Sequence, residues 1–292
     1  MGVTEVAGAN AGLNTRTVTF ATSSVVELVG RPHLDVFLKD RLIPPGINLH
    51  MKLILAADSF VSKSAAPGAG AALQNYKMAI QRVDLIIHTK QLTSTTQKAR
   101  KELLQVHNMR KHYSRVQVKH LSIPANQTSI SFDNVVTGAL PDMLIVGLVS
   151  DADHAGGYQR NPFNFQNFGV NRIDLKRNGM PVPRNGYTPN FNNGQYTKDY
   201  MTFLEQLDCD SGDKCISLTT FEWATGYTLY AFQISDGPIE PGTYGPRSKS
   251  ATGSVRLEVS FAEAQNENIK VILLYQMLGR LEFDQFLNVI VL

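Results

Sequence analysis

Three groups of residues in this sequence carry enough chemistry to be weighed as sites. Asp151-Ala152-Asp153-His154 sets two carboxylates and an imidazole within one turn, a combination able to hold a divalent cation. The other histidines, His33, His50, His88, His107, His112 and His120, never form a His-x-His pair. A mononuclear metal enzyme on a β-sandwich would need such a pair with a Glu and a later His, so the cluster reads more simply as a polar loop. Cys209 and Cys215 are spaced Cys-x5-Cys with no second pair, a poor zinc pattern, and read as free thiols. Glu258, Glu263, Glu267, Glu282 and Asp284 could supply paired carboxylates for glycoside chemistry. Glu258 falls on the polar face of a strand and the others at strand ends, so surface solvation is the plainer account. The sequence contains neither a Gly-x-Ser-x-Gly elbow nor a Gly-x-x-x-x-Gly-Lys phosphate loop. The expectation is a protein that is not an enzyme and uses no cofactor and no metal.

Two further stretches point to contact rather than catalysis. Lys98, Arg100, Lys101, Arg110, Lys111, Arg115 and Lys119 stand against one acid, Glu102. The first five are candidates for a weak nucleic-acid contact, although Tyr113 is the only ring nearby and offers little base stacking. A solvated helix with cations near its C-terminal end is the plainer account. Asn161 to Pro183, NPFNFQNFGVNRIDLKRNGMPVP, interleaves Phe163, Phe165 and Phe168 with asparagines before an Asn178-Gly179 turn. The three rings are candidate structural or inter-subunit contacts, on a loop whose backbone is tied by side-chain amides.

Those residues need elements to hold them. The chain of 292 residues is 43% hydrophobic and 18% charged with a net charge of +3, which suits an ordinary globular protein and argues against disorder. That charge is too small to argue for nucleic acid or an anionic membrane, and no long apolar window suggests membrane insertion. The N-terminus lacks the pattern of a secretory signal, so the protein is expected not to be secreted and the sequon at Asn126 to be unused. Val6 stands where a myristoylation motif wants Ser or Thr.

Strand signals dominate the rest. In Ser254 to Ala264, Val255, Leu257, Val259 and Phe261 alternate with Arg256, Glu258 and Ser260. Ile269 to Met277 is apolar on nearly both faces, as a strand covered on two sides would be, and so is Met143 to Val149. Gly226 to Ile234 reads as another strand. Asn178-Gly179 marks a two-residue hairpin, because both central positions of a type I′ turn need positive φ. Val116 and Val118 share one parity while Leu121 and Ile123 take the other, which predicts a bulge between them. Val18 to Thr22, Leu34 to Phe37, Leu49 to Leu55 and Val83 to Thr89 read as further strands, and Ser64 to Ala72 as a small-residue loop. Ser94-Thr95-Thr96-Gln97 fits a capping box ahead of a helix through His112. The chain then divides into residues 1–92, a connector helix at 93–112, and 113–292. The last part, roughly 180 residues with about eight strands, has the size of a jelly roll.

Five blocks carry a resemblance: VVELVGRPHLDVFLKDRLIPPGINLHMKL (25–53), RVQVKHLSIPANQTSISFDNVVTGALPDMLIVGLV (115–149), NPFNFQNFGVNRIDLKRNGMPVP (161–183), GYTLYAFQIS (226–235) and GSVRLEVSFAEAQNENIKVILLYQMLGRLEFDQFLNVIV (253–291). In that order the chain resembles the major capsid protein, or hexon, of Polinton/Maverick elements and adintoviruses. The resemblance implies an all-β double jelly roll with one connecting helix, standing in homotrimeric, pseudo-hexagonal capsomers. These would tile an icosahedral virion capsid, with penton and minor capsid proteins, around double-stranded DNA, assembled inside the host cell. It also implies that residues 1–92 match only the later strands of the first jelly roll, so the chain is expected to be N-terminally truncated relative to the family. The rival reading is a host-retained jelly-roll binding module, lectin-like or protein-binding, using loops Asp151–Gln166 and Asp208–Lys214.

Overall fold

The computed structural model describes residue 19 and residues 24–38, 42–62, 77–209, 216–234 and 252–291. The chain forms two compact units, Met1–Leu38 and Lys39–Leu292. In the first, residues 24–34 are irregular and lead into a one-turn helix, α1 (Asp35–Leu38). Leu34 to Phe37, expected as a strand, belongs to that turn, and the Phe37 N–H donates to the Leu34 carbonyl at 2.8 Å. The expected strand at 18–22 lies, apart from Thr19, outside the described residues, as do Cys215 and the small-residue loop at 64–72.

The second unit contains a jelly roll. Its strands are β1 (Met109–Ile123), β2 (Ser129–Phe132), β3 (Met143–Ser150), β4 (Val170–Arg177), β5 (Met180–Tyr187), β6 (Leu229–Gln233), β7 (Val255–Phe261) and β8 (Ile269–Phe283), followed by a short β9 (Val289–Val291). One sheet, here sheet A, orders them β1-β8-β3-β6, with β9 also pairing β8; the other, sheet B, orders them β2-β7-β4-β5. All these pairings are antiparallel. The chain therefore passes between the sheets in the sequence A, B, A, B, B, A, B, A, the interlocked Greek keys of a jelly roll. The all-β expectation holds.

The core lies between the sheets. Val255, Leu257, Val259 and Phe261 are buried on the inner face of β7, as their alternation predicts. The Asn178-Gly179 turn joins β4 to β5 with φ of 50° and 86°. The gap between β5 and β6 is closed by α5 (Thr197–Gln206) and α6 (Thr220–Ala224) around the fully buried Trp223. Helix α6 opens on a capping box, with the Thr219 hydroxyl accepting from the Glu222 N–H and the Glu222 carboxylate accepting from the Thr219 N–H.

Sheet edges are blunted by three devices. Strand β2 has only four residues. Strand β5 carries Pro181 and Pro183, which have no N–H to offer a neighbour. Edge groups of β6 are taken by side chains: the Ala231 carbonyl accepts from the Tyr187 hydroxyl at 2.6 Å, and the Gln233 N–H donates to Gln206 Oε1 at 2.9 Å.

Strand β5 also bulges between Val182 and Tyr187, and Gly186 in that bulge has φ of +58°. A Cβ there would strike the carboxylate of the buried Asp174. Gly186→Ala is therefore expected to lower stability by about 2–3 kcal/mol, combining left-handed strain with the steric conflict. Urea denaturation measures it; a loss below about 0.5 kcal/mol would mean that the bulge rearranges freely.

Further elements differ from expectation. The helix, α3, runs Ser94–Val106, capped by Thr93 and not by Ser94; it stops short of 112 because the segment from Met109 pairs with β8 through 15 residues. That pairing is uninterrupted, so the predicted bulge in β1 is absent. Leu49 to Leu55 and Val83 to Thr89 belong to no sheet and, apart from the half-buried Met51, are exposed. Their alternation marks them as strand-formers, but a strand gains its hydrogen bonds only from a partner. Finally, α5 and α6 were not anticipated, although Thr219 and Glu222 hold the capping-box spacing in the sequence.

Candidate functional site

The two outer faces of the jelly roll differ sharply in chemistry. On sheet B, cross-strand register sets Ser131, Glu258 and Asp174 in one row and Arg256 and Lys176 in the next. Lys176 Nζ lies 2.7 Å and Arg256 Nε 2.9 Å from the Glu258 carboxylate, and Arg256 also reaches Asp133 at 3.3 Å. The hydrogen bond from Lys176 holds the Glu258 carboxyl below its usual range. Arg172 pairs with Asp174. A shallow depression lined by Asp133, Asn134, Lys176, Gly179, Ser254 and Arg256 sits in this network, and both its cations are already engaged. This is a face built for water.

Sheet A is apolar on both sides. Its outward rows read His120-Ile272-Gly147-Leu229, then Val118-Leu274-Ile145-Ala231, then Val116-Gln276-Met143-Gln233. Val116 is 53% exposed, Val118 52%, Leu278 44% and Leu274 36%. The parity change in β1 thus has a physical meaning. Val116 and Val118 face outward, while Leu121 and Ile123 face the core, with no bulge between them.

Part of this outer face is covered by the excursion between β3 and β4. That segment begins with the single-turn helix α4 (Asp151–His154). A Cβ on Gly147 would lie 2.6 Å from the Phe165 ring, so the glycine leaves the space in which that ring sits. The Phe165 carbonyl accepts from the Thr228 N–H at 2.9 Å, and the Gln166 N–H donates to the Leu148 carbonyl at 3.2 Å. Phe163 is largely exposed and meets Phe60 of α2 (Asp58–Val61) edge-on, with ring centroids 5.7 Å apart. Phe168, at φ of +45°, packs against the core. Asn161 and Asn167 tie the backbone, their side-chain oxygens accepting from the N–H groups of Phe163 and Gly169.

The basic candidates differ in their surroundings. Lys98 and Lys101 are exposed on α3. Arg100 lies against the Met109 sulfur, Arg110 pairs with Glu282 at 3.0 Å, and Lys111 is buried. In the Asp151–His154 turn, Asp151 pairs with Lys270 at 3.3 Å and Asp153 with Arg160 at 3.1 Å, while the His154 ring faces His120 at 4.7 Å between centroids. Among the described residues no cluster of three or more His, Cys, Asp or Glu is arranged to hold a metal. Cys209 is a free thiol. Most of the loop at 208–214 lies outside the described residues. The outward patch on β1 and β8 was not foreseen as a site. Its signals were the parity change in β1 and the two-faced apolarity of Ile269 to Met277.

No protein-family model matches the sequence. A curated Caenorhabditis elegans protein, "Uncharacterized protein F54H12.2", is 26% identical over 126 residues, covering 41% of this chain and 29% of that protein. Among solved structures, the fold is similar to a chain of the Sputnik virophage determined by cryo-EM, at 9% identity and a TM-score of 0.39, covering 63% of this chain and 39% of that one. It is also similar to the mavirus major capsid protein, at 9% identity and a TM-score of 0.33 over 63% of this chain and 41% of that one. A third is the PBCV-1 virus capsid, at 8% identity and a TM-score of 0.38 over 64% and 52%. The chain thus spans well under two thirds of each of these proteins.

Proposed function

We propose that this chain is a structural protein, the major capsid protein of an icosahedral double-stranded DNA virus or virus-like mobile element, of the Polinton/Maverick and adintovirus kind. Its task is self-association into trimeric, pseudo-hexagonal capsomers that meet neighbouring capsomers and minor capsid proteins in the virion shell. The observation that carries this reading is the exposed apolar patch on the outer face of sheet A beside a sheet B whose outer face carries a network of ion pairs. A sheet with apolar residues on both sides is a buried sheet, and a second body must supply the cover. The five sequence blocks support the same conclusion from the side of the family.

The mechanism is geometric. Two stiff antiparallel sheets fix the patch in space, and a closed cyclic arrangement lets each copy present one side to the next. No bond is made or broken. Residues 1–92 serve in this reading as part of a first jelly roll, and α3 as the connector. Size-exclusion chromatography with light scattering on the purified chain tests the proposal. The expected result is a species of three times the monomer mass; a well-folded, strictly monomeric protein at high concentration overturns it.

A further inference from the structure

The His120–His154 contact has no part in the assembly reading, yet its surroundings are specific. His120 stands on β1 in the outward row that also holds Gly147, and His154 closes α4. The excursion between β3 and β4 is thus held on sheet A at two points, by His154 on His120 and by Phe165 on Gly147. We propose that His154, seated against the His120 ring, forms an acid-sensitive latch, its imidazole neutral and the excursion closed near pH 7.5, that releases residues 155–166 from sheet A as the pH falls below about 6.

The charges around the pair set the direction. From β8, Lys270 reaches the same corner, with Nζ donating to Ser122 Oγ on β1 at 2.6 Å and pairing with Asp151 at 3.3 Å. Asp151 is thereby committed to Lys270, and Asp153 to Arg160. Glu267, before β8, accepts from the Ser150 hydroxyl at 2.8 Å. Each nearby carboxylate already has a partner, so a proton on His154 meets the His120 ring and the Lys270 ammonium group. Burial first, then His120 and Lys270, hold His154 below its ordinary range, with Asp151 opposing.

The sign follows by linkage. A histidine whose proton affinity is depressed in the closed arrangement takes up a proton more readily once released. The closed arrangement is therefore most stable above the free-histidine value of about 6.5, and weakens as the pH drops through it. The bonds at stake are those of the excursion: the Gln166 N–H to the Leu148 carbonyl and the Thr228 N–H to the Phe165 carbonyl.

Hydrogen exchange on the full chain at pH 7.5 and 5.5, corrected for the intrinsic pH dependence of exchange, tests the latch in whatever oligomeric state the protein adopts. Protection at Gln166 and Thr228 is expected to fall severalfold between the two conditions, up to the roughly tenfold ceiling that one histidine sets. In His154→Gln, and separately in His120→Gln, that pH-dependent loss should shrink to about threefold or less. Equal pH dependence in the wild-type chain and both variants would overturn the latch. So would unchanged protection in the wild-type chain. Neither result bears on trimer formation, which light scattering reads independently.

Discussion

Replacing Trp223 with alanine is expected to remove about 3–5 kcal/mol of stability, the usual cost of emptying a large buried aromatic site. Trp223 is fully buried, and its ring lies within 5.8–6.3 Å, centroid to centroid, of Phe191, Tyr196, Tyr200, Phe203 and Tyr230. These rings come from β6, from α5 and from the segment before α5, so the indole joins the helices to the sandwich. Its Nε1–H donates to the Leu229 carbonyl at 2.9 Å, and its own carbonyl accepts from the Thr228 hydroxyl at 2.7 Å. Alanine would leave a void too wide for one helical turn to collapse into. It would also strip the Leu229 carbonyl of its partner. Far-UV circular dichroism during heating should show the midpoint falling on the order of 10 °C. Trp223→Phe keeps most of the packing but loses the hydrogen bond, and should fall about midway. A loss under about 1 kcal/mol for the alanine variant would mean that α5 and α6 are not held by this residue.

The second large effect concerns assembly. Val118 and Leu274 are direct cross-strand neighbours on the outward face of sheet A. Converting both to aspartate should lower the stability of the isolated chain by about 1–2 kcal/mol, because two like charges then face each other across strands that disfavour Asp, and leave it folded. At a contact between copies, the same carboxylates would be desolvated without partners, costing several kcal/mol each. Since each 1.4 kcal/mol is about a factor of ten in affinity, the double variant should weaken association at least about a hundredfold and elute as monomer. Ser129→Asp on the outer face of sheet B is the control, and should leave association unchanged. Association that survives V118D/L274D would place the contact elsewhere on the molecule.

Much of the jelly roll was legible in the residues. The alternation in β7, the apolar runs of β3 and β8 and the Asn178-Gly179 turn all report local rules: a strand's side chains alternate, and a type I′ turn needs positive φ. The misreadings have a common origin. Val116 and Val118 seemed out of phase with Leu121 and Ile123 on the assumption that only one face of a strand is apolar; sheet A breaks that assumption. Segments 49–55 and 83–89 have strand character, yet pairing depends on a neighbour that local sequence does not specify. Strand β1 begins where helix was expected because 15 pairs with β8 outweigh the weak helical preference of a few residues.

The sequence by itself determined the alternation of β7, the apolar runs of β3 and β8 and where the hairpin turns, because these depend on residue type and short spacing. Only the tertiary structure decided which sheet each strand joins, that one outer face is charged and ion-paired while the other exposes an apolar patch, and that His120 meets His154 across 34 positions of chain. The reason is physical. A side chain's direction is set locally, but what it faces is set by strands brought together from distant parts of the chain. Assembly and the latch are both properties of what is faced.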